Sequence, residues 1–561
     1  MDNGSRNAYW KIAPPVLVGL GGFLICLFKI TTFDYWTNLA LGRVFFEMGT
    51  SGVLEPFQKL TAPGVLDSTG SLFQRGLYLL HGAVGDVGIS VAVALLAGLT
   101  AAALALGVRG REGGIARALG YSLILLIIFI GRERFAPRPE VPAMLLAALT
   151  ANAGIAWRRA PSFGTLFTGA FLLALWAALH VSWAIGAAFF LLLVAMRPQA
   201  AFWKESQADA RGRGRTVLSG FLAIVALAGI VDFGLKILKA TGSGGALSFI
   251  TEMLPIWNFP PEAAKFWSIG GFALLPALFK PRDRTANIIY IVLALAMGSL
   301  AARNYAMALL LIAPVALDSL EGFAARANHF EGAKNFGIVL PALTGILLLA
   351  VSIMAGDPPW GAGVEWDLFP REAAAFVKEK LPSKPVFNNF DIGGYLDWAW
   401  RGEPPTLIDG RSRGDARFQR DFRNMTDGVD APLLLDKYDI KIAVTRATYT
   451  NSGRLFPIVE YFLTSPGWTL VNASDALVFT RAGSPGADAP LRARAGWEYV
   501  LKETEALGRI DPGRPHMPYT RAIARAALGD REGARREMAQ ALNAHPELKN
   551  YYGSLADALA R

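Results

Sequence analysis

From residue 14 to residue 355 the chain alternates long aliphatic runs with short polar connections. Beyond that point it changes to ordinary amphipathic helices and short, half-apolar strands. A helix needs ~20 mostly apolar residues to cross a bilayer. Runs at or near that length fall at 14–33, 87–108, 116–131, 140–157, 164–179, 182–196, 216–238, 266–279, 285–302, 304–318 and 336–355. The pattern therefore predicts a polytopic α-helical membrane protein with about 11 transmembrane (TM) helices. Cationic residues gather in alternate connections: Arg109, Arg111 and Arg117; Arg158 and Arg159; Arg197, Lys204, Arg211, Arg213 and Arg215; Lys280, Arg282 and Arg284, on the side of Arg6 and Lys11. The positive-inside rule makes that side cytoplasmic. An odd number of spans then puts the C-terminus in the periplasm, for a multi-pass protein of a bacterial inner (cytoplasmic) membrane.

The opposite connections are longer and richer. The first, 34–81, holds Asp34, Glu47, Glu55, Asp67 and Arg75, and its segment 34–49 predicts an amphipathic helix lying along the membrane surface. A second carries Arg132, Glu133, Arg134, Arg138 and Glu140, and a third, 239–265, carries Glu252, Trp257 and Lys265.

After Trp360 the pattern predicts helices at 370–381, 395–400, 414–424, 431–438 and 454–464. Strands are expected at 386–389, 406–409, 440–445 and, as a pair, 469–482. Strands separated by helices give a small sheet with helices against it. Residues 483–490 read as a linker, and 494–561 as all helix. Ala522, Ala526, Leu528, Gly529, Asp530, Ala534, Ala541, Leu542 and Pro546 fit one or two helix–turn–helix units of the tetratricopeptide (TPR) type, which usually dock on a neighbour or a partner protein. Three regions are thus expected: a transmembrane domain at 1–355, a soluble α/β domain at 356–485 and a TPR-like helical end at 486–561.

Composition sharpens this. Of 561 residues, 53% are hydrophobic and 18% charged, against roughly 25% charged in soluble proteins, and mean hydropathy is +0.34. One soluble core stops growing near ~250–300 residues, so a soluble enzyme is excluded. The net charge of +10 is accounted for by cytoplasmic loops, and no nucleic-acid-binding motif occurs. The one cysteine, Cys26, lies in the first apolar run, so no disulfide framework is expected. That run is too long for a signal h-region and lacks a small-residue cleavage site, so it is expected to stay as the first span.

Asp34 sits just past the first run. A carboxylate at the membrane boundary either serves function, as a general base, or is a solvated loop residue or a cap for the following helix. Arg132, Arg134 and Arg138, with Arg303 on the same side, suit either a phosphate or pyrophosphate or the anionic headgroups of membrane lipids. His180 lies in an outer turn, where a structural hydrogen bond is the plainer reading, and Trp176, Trp183, Trp257 and Trp267 read as an interfacial belt. In the tail, Asp391-Ile-Gly-Gly-Tyr395 and Leu407-Ile-Asp-Gly-Arg411 fit either an anion site or tight turns held by an Asp–Arg pair. No Walker loop, dinucleotide fingerprint, zinc spacing or serine-nucleophile motif is present, and no inverted repeat suggests a secondary transporter.

The Asp-x-Trp at Asp34–Trp36 after the first span, the large first outer loop and the many short spans resemble the GT-C class of membrane glycosyltransferases. Bacterial members of that superfamily share an Arg-Pro loop like Arg138-Pro139, a Trp-x-x-x-His like Trp176 to His180, and Gly-Gly-Tyr-Leu and Asp-Gly-Arg segments in a periplasmic domain. The likeness runs over about 14–480. It implies transfer of a sugar from a polyprenyl-phosphate-linked donor on the outer face, with Asp34 as catalytic base and Arg138 and Arg303 near the donor phosphate, to which the arginine cluster adds Arg132 and Arg134 as candidates. Glu55 and His180 are further site candidates, and a divalent metal cofactor is left open. The chain departs from the pattern at two places. Tyr35-Trp36-Thr37 stands for the usual Trp-Trp-His, and Gln74-Arg75-Gly76-Leu77 for a Gln-Glu-Trp-Leu, which weakens any metal site. The alternative reading is a non-catalytic scaffold or assembly subunit that binds a protein partner through 494–561.

Overall fold

The computed structural model describes residues 3–61, 63–67, 70–108, 114–196, 231, 253–278, 283–327, 333–411, 414–483 and 490–552. Ten of the eleven apolar runs coincide with helices: α1 (Asn3–Ile25), α3 (Ser71–Leu106), α4 (Gly114–Ile130), α5 (Glu140–Arg159), α6 (Phe163–Leu179), α7 (Trp183–Ala195), α8 (Pro260–Leu278), α9 (Arg284–Leu300), α10 (Tyr305–Ala327) and α11 (Ala333–Ala355). The run 216–238 lies outside the described residues apart from residue 231, as do Glu252, the linker at 484–489 and most of the cationic connections. Three stretches, Ser71–Leu106, Glu140–Arg159 and Ala302–Leu320, are long and apolar enough to cross a membrane. Six further apolar helices are shorter. This is the make-up of a multi-pass membrane protein. Helix α1 packs on α3, α4 on α11, and α10 on α4, α5 and α8.

Two expectations about the outer boundary change. The first span was expected over 14–33, but its helix stops at Ile25. The next residues run extended beside the segment after α11: Lys29 N donates to Pro359 O (2.9 Å), Gly361 N to Leu27 O (2.9 Å), Ile30 N to Gly363 O (2.7 Å) and Glu365 N to Ile30 O (3.1 Å). Inter-segment pairing satisfies these backbone groups as well as a further helical turn would. The segment after Asp34 does form a helix, α2 (Asp34–Met48), but every residue from Tyr35 to Phe45 is buried. It is clamped between α3 and α13 (Phe390–Trp400) rather than laid on a membrane with one face in water.

The tail holds α12 (Arg371–Lys380), β1 (Val386–Asn388), α13, α14 (Ala416–Thr426), α15 (Ala431–Lys437), β2 (Ile442–Thr445), α16 (Pro457–Thr464), β3 (Trp468–Ala473) and β4 (Leu477–Arg481). The four strands form one mixed sheet in the order β1-β2-β4-β3. β1 runs parallel to β2 with Phe387 opposite Ala443, and β4 is antiparallel to both β2 and β3. The strand expected at 406–409 does not form; only Thr406 bridges, to Val386. The Asn388 side chain takes the place of a ladder there, its Oδ1 accepting from Leu407 N (2.9 Å) and its Nδ2 donating to Ile408 O (2.8 Å). Helices α17 (Ala493–Ile510), α18 (Met517–Ala527) and α19 (Arg531–Ala544) follow.

One hydrophobic core fills the membrane bundle. A second joins Tyr35 and Trp36 of α2 to Phe369, Tyr395, Val444, Leu507 and Ile510. Trp36 meets Tyr395 edge-on at 5.0 Å between ring centroids, and α17 contributes directly to this core. Burial of such side chains stabilises by about 1.5–3 kcal/mol each, so the first outer loop, the sheet and α17 are held together by apolar packing.

Candidate active site

Asp34 is the first residue of α2, where a negative charge faces the helix's unpaired N–H groups and positive dipole end. No side-chain cap forms at this end, so the capping reading of Asp34 is not realised. Its Oδ2 lies 3.0 Å from Arg138 Nε, and that same Nε donates to Thr32 Oγ1 at 3.1 Å. Arg138 is held between Pro137 and Pro139 in the turn leading into α5. The carboxylate remains 38% exposed. Above it passes the Asp409–Arg411 turn of the tail. A Cβ on Gly410 would stand 3.1 Å from Asp34 Oδ1, so the absence of a side chain there lets the turn close over the carboxylate.

The other arginines divide into separate groups. Arg134 and Arg303 both turn to Glu140, the first residue of α5, which is 7% exposed. Arg134 Nη2 donates to Glu140 Oε2 at 2.5 Å and Arg303 Nη2 to its Oε1. A carboxylate this buried needs such cations to offset its lost hydration. His180 stands beside this group, its Nδ1 2.7 Å from Ser182 Oγ. Burial, opposed by the Glu140 charge and assisted by Arg303 and Arg134, lowers its pKa to about 4, so the ring is neutral at neutral pH. Arg132 lies over the Phe129 ring at 4.4 Å, and its Nη2 reaches Asp357 O at 3.4 Å. Its Nε is buried without a hydrogen-bond partner. It lines a cavity of about 40 Å³ with Lys29, Thr31, Ser90 and Phe135.

Glu55 is also brought close, though its partners are structural. It accepts from Arg411 Nη1 (2.9 Å) and Nη2 (3.1 Å) and from Phe57 N (3.0 Å). Arg411 in turn holds Asp409, Nε to Oδ2 at 2.8 Å. The Asp–Arg turn foreseen in the sequence is present, and it reaches across to the first outer loop. Residues that sequence reasoning passed over are Asp397 of α13 and Thr450. Thr450 Oγ1 donates to Asp391 Oδ2 at 3.2 Å. Burial, then the charge of Asp34, pushes the Asp391 carboxyl up from its ordinary range, which places Asp391 on the tail side of the same site. Asp-Ile-Gly-Gly read as a turn in the sequence, whereas residues 391–394 lie in helix α13; nothing local signalled that Gly394 meets Thr37 of α2.

Among the described residues, no three His, Cys, Asp or Glu side chains gather as metal ligands, and Asp34 faces a guanidinium rather than further carboxylates. The donor set does not fit a divalent cation, and no step is assigned to one.

A bundle of apolar helices, with its first outer loop covered by a small mixed sheet, defines a class of polytopic membrane fold. The crystal structure of the Archaeoglobus fulgidus oligosaccharyltransferase in the apo form aligns with it at a TM-score of 0.51 and 12% sequence identity, over 86% of this chain and 75% of that one. The same oligosaccharyltransferase tethered through a disulfide bond to an acceptor peptide containing the NVT sequon aligns at a TM-score of 0.50 and 12% identity, over 84% and 74%. The chain therefore has an oligosaccharyltransferase-like fold, in line with the GT-C resemblance of its sequence. No family model and no curated protein matches the sequence.

Proposed function

We propose that this chain is a membrane glycosyltransferase that moves a sugar from a polyprenyl-phosphate-linked donor to an acceptor on the periplasmic face. The observation that carries the proposal is the Asp34 carboxylate, fixed at 3.0 Å from Arg138 at the outer boundary of the bundle yet open to an incoming group. In this reading the acceptor oxygen attacks the donor's anomeric carbon, and the bond from that carbon to the phosphate oxygen breaks. The electron pair stays on the phosphate, and the acceptor proton passes to Asp34 as general base. Arg138 orients the carboxylate, and Arg132, which lines the small cavity and has an Nε without a hydrogen-bond partner, is the cation suited to the leaving phosphate. Arg134 and Arg303 are assigned instead to holding Glu140 and the entry of α5.

The test is hydrolysis of a synthetic short-chain polyprenyl-phosphate sugar by the purified protein in lipid nanodiscs. Loss of released sugar in Asp34→Asn, with an unchanged melting temperature, supports the reading. Equal rates in the variant and the parent reject it.

The pairing of Arg134 and Arg303 to Glu140, with Arg138 on Asp34, favours a second reading, since three of the four cations expected at a donor phosphate already have a carboxylate. In it the chain is a non-catalytic subunit that grips a partner protein through its terminal helices.

A further inference from the structure

Behind the Gly410 turn lies a group of buried acids with fewer cations than charges. Asp409 is fully buried, Asp397 1% exposed and Glu55 5% exposed. Among the described residues, Arg411 is shared between Asp409 and Glu55. Asp397 Oδ1 accepts from Thr406 Oγ1 at 2.6 Å, while its Oδ2 is buried with no hydrogen-bond partner among the described residues; Asp409 lies against the same helix, a Cβ on Gly393 of α13 standing 2.8 Å from its Cα. Arg43, from α2, reaches only the backbone here: its Nη1 donates to Trp398 O (3.1 Å) and its Nη2 to Asp397 O (3.4 Å). Both oxygens of Asp409 hold the turn, Oδ1 receiving Arg411 N at 2.9 Å and Oδ2 receiving the guanidinium, and Oδ1 keeps a second lone pair that can accept one more hydrogen bond.

An orphan carboxylate oxygen facing a second, cation-bound carboxylate is costly unless a proton lies between them. We propose that Asp397 is a positioning residue held as a neutral carboxylic acid, whose Oδ2–H donates to Asp409 and so fixes the Asp409–Gly410–Arg411 turn over Asp34. The charges then balance locally: Glu55 and Asp409 are ionised against Arg411, with Arg43 standing over the α13 backbone. The direction of the titrations agrees. Burial, then the Asp409 charge, raises Asp397 well above the ordinary carboxylate range, whereas Arg411 overcomes burial and holds Asp409 below it. A raised folded-state pKa means that the fold binds the proton more tightly than the unfolded chain. The contribution is full below the ordinary carboxylate range and is lost as pH rises toward Asp397's folded value.

The link to catalysis rests on the transferase reading of Asp34; the proton itself does not. The experiment therefore reads two quantities on the full-length protein in nanodiscs across a pH series: the melting temperature and the rate of donor hydrolysis. Asparagine mimics a protonated aspartate, donating from Nδ2 and accepting at Oδ1. Asp397→Asn is expected to match the parent's melting temperature at and below the ordinary carboxylate range and to flatten the parent's fall as pH rises from there toward Asp397's folded value. Asp409→Asn, which removes the charge held by Arg411, is expected to melt lower at every pH. If hydrolysis is measurable, Asp397→Asn retains it and flattens the same alkaline arm, while Asp397→Ala loses it. The proposal is overturned if Asp397→Asn melts as low as Asp397→Ala, or if its alkaline decline matches the parent's. A chain that hydrolyses nothing but shows the expected melting asymmetry fails the transferase reading alone.

Discussion

Gly394 of α13 meets Thr37 of α2 so closely that a Cβ on the glycine would stand 2.1 Å from the threonine Oγ1 and 2.9 Å from its backbone N. The approach seats the tail on the helix that begins with Asp34. Gly394→Ala must push the two helices apart, and overpacking of this kind costs about 1–3 kcal/mol. Thermal unfolding will show the loss, and a longer donor-hydrolysis time at temperatures where the variant stays folded will show that Asp34 has lost its cover.

Removing the base while keeping its shape isolates the chemistry. Asp34→Asn is expected to slow transfer by about 100- to 10,000-fold, the usual range for a general base. Arg138→Ala, which frees the carboxylate from its 3.0 Å partner, is expected to lower the rate less, leaving the base in place but unoriented. Single-turnover rates on the same nanodisc preparation rank the two.

Glu140 neutralises two arginines inside the bundle. Substituting Glu140→Gln leaves both cations without their carboxylate, and breaking a buried pair from one side costs about 3–5 kcal/mol. Arg303, less buried than Arg134, can recover some hydration, so the lower part of that range is expected. Melting temperature and detergent-extracted yield report it.

His180 gives a pH signature of the opposite sign to Asp397. Its folded value of about 4 lies below its ordinary value of 6.5, so its contribution is present above the ordinary value and is lost as pH falls through the folded one. Stability is expected to decline on acidification across that interval, and His180→Gln to reduce the slope. Unfolding followed from about pH 7 down to about pH 4 tests this, since those limits bracket the titration.

Deletion separates the two functional readings only if it spares α17, whose Trp497, Tyr499, Val500, Leu507 and Ile510 belong to the cores of the tail. Removing 531–561 takes away α19 and leaves those residues in place. A transferase keeps its donor hydrolysis after this truncation. A scaffold loses its partner while Asp34→Asn remains silent, as pull-down from detergent-solubilised membranes will show.

The helices of the bundle were legible because apolar runs with polar breaks carry their own length and spacing. So was Asp34, a charge set at the end of an apolar run. Helices α12 and α14–α16 and strands β1–β4 also fall close to the positions expected from alternation. What local pattern withheld is the set of contacts made across hundreds of residues. Asn388 displaces a strand at Leu407 with its side chain, residues 27–30 leave the first span to pair with 359–365, and Glu55 finds Arg411. The Asp409–Gly410–Arg411 turn was visible as a turn, whereas the Asp391–Gly394 segment belongs to helix α13, and the target of neither was visible, because a close approach is decided by the surface on the other side.

The pairing of residues 27–30 with 359–365 also governs the order in which the molecule can be assembled. The strand-like exit of the first helix finds its partners, Pro359 and Gly363, only after more than three hundred further residues have been made, and the Lys29–Glu365 ion pair closes at the same late moment. Until then the outer end of α1 has unfilled backbone groups at the membrane boundary, where unpaired N–H and C=O groups are costly. Helix α1 is thus finished at this end only late in synthesis, and a nascent chain halted before residue 359 should present residues 27–30 to membrane chaperones or proteases.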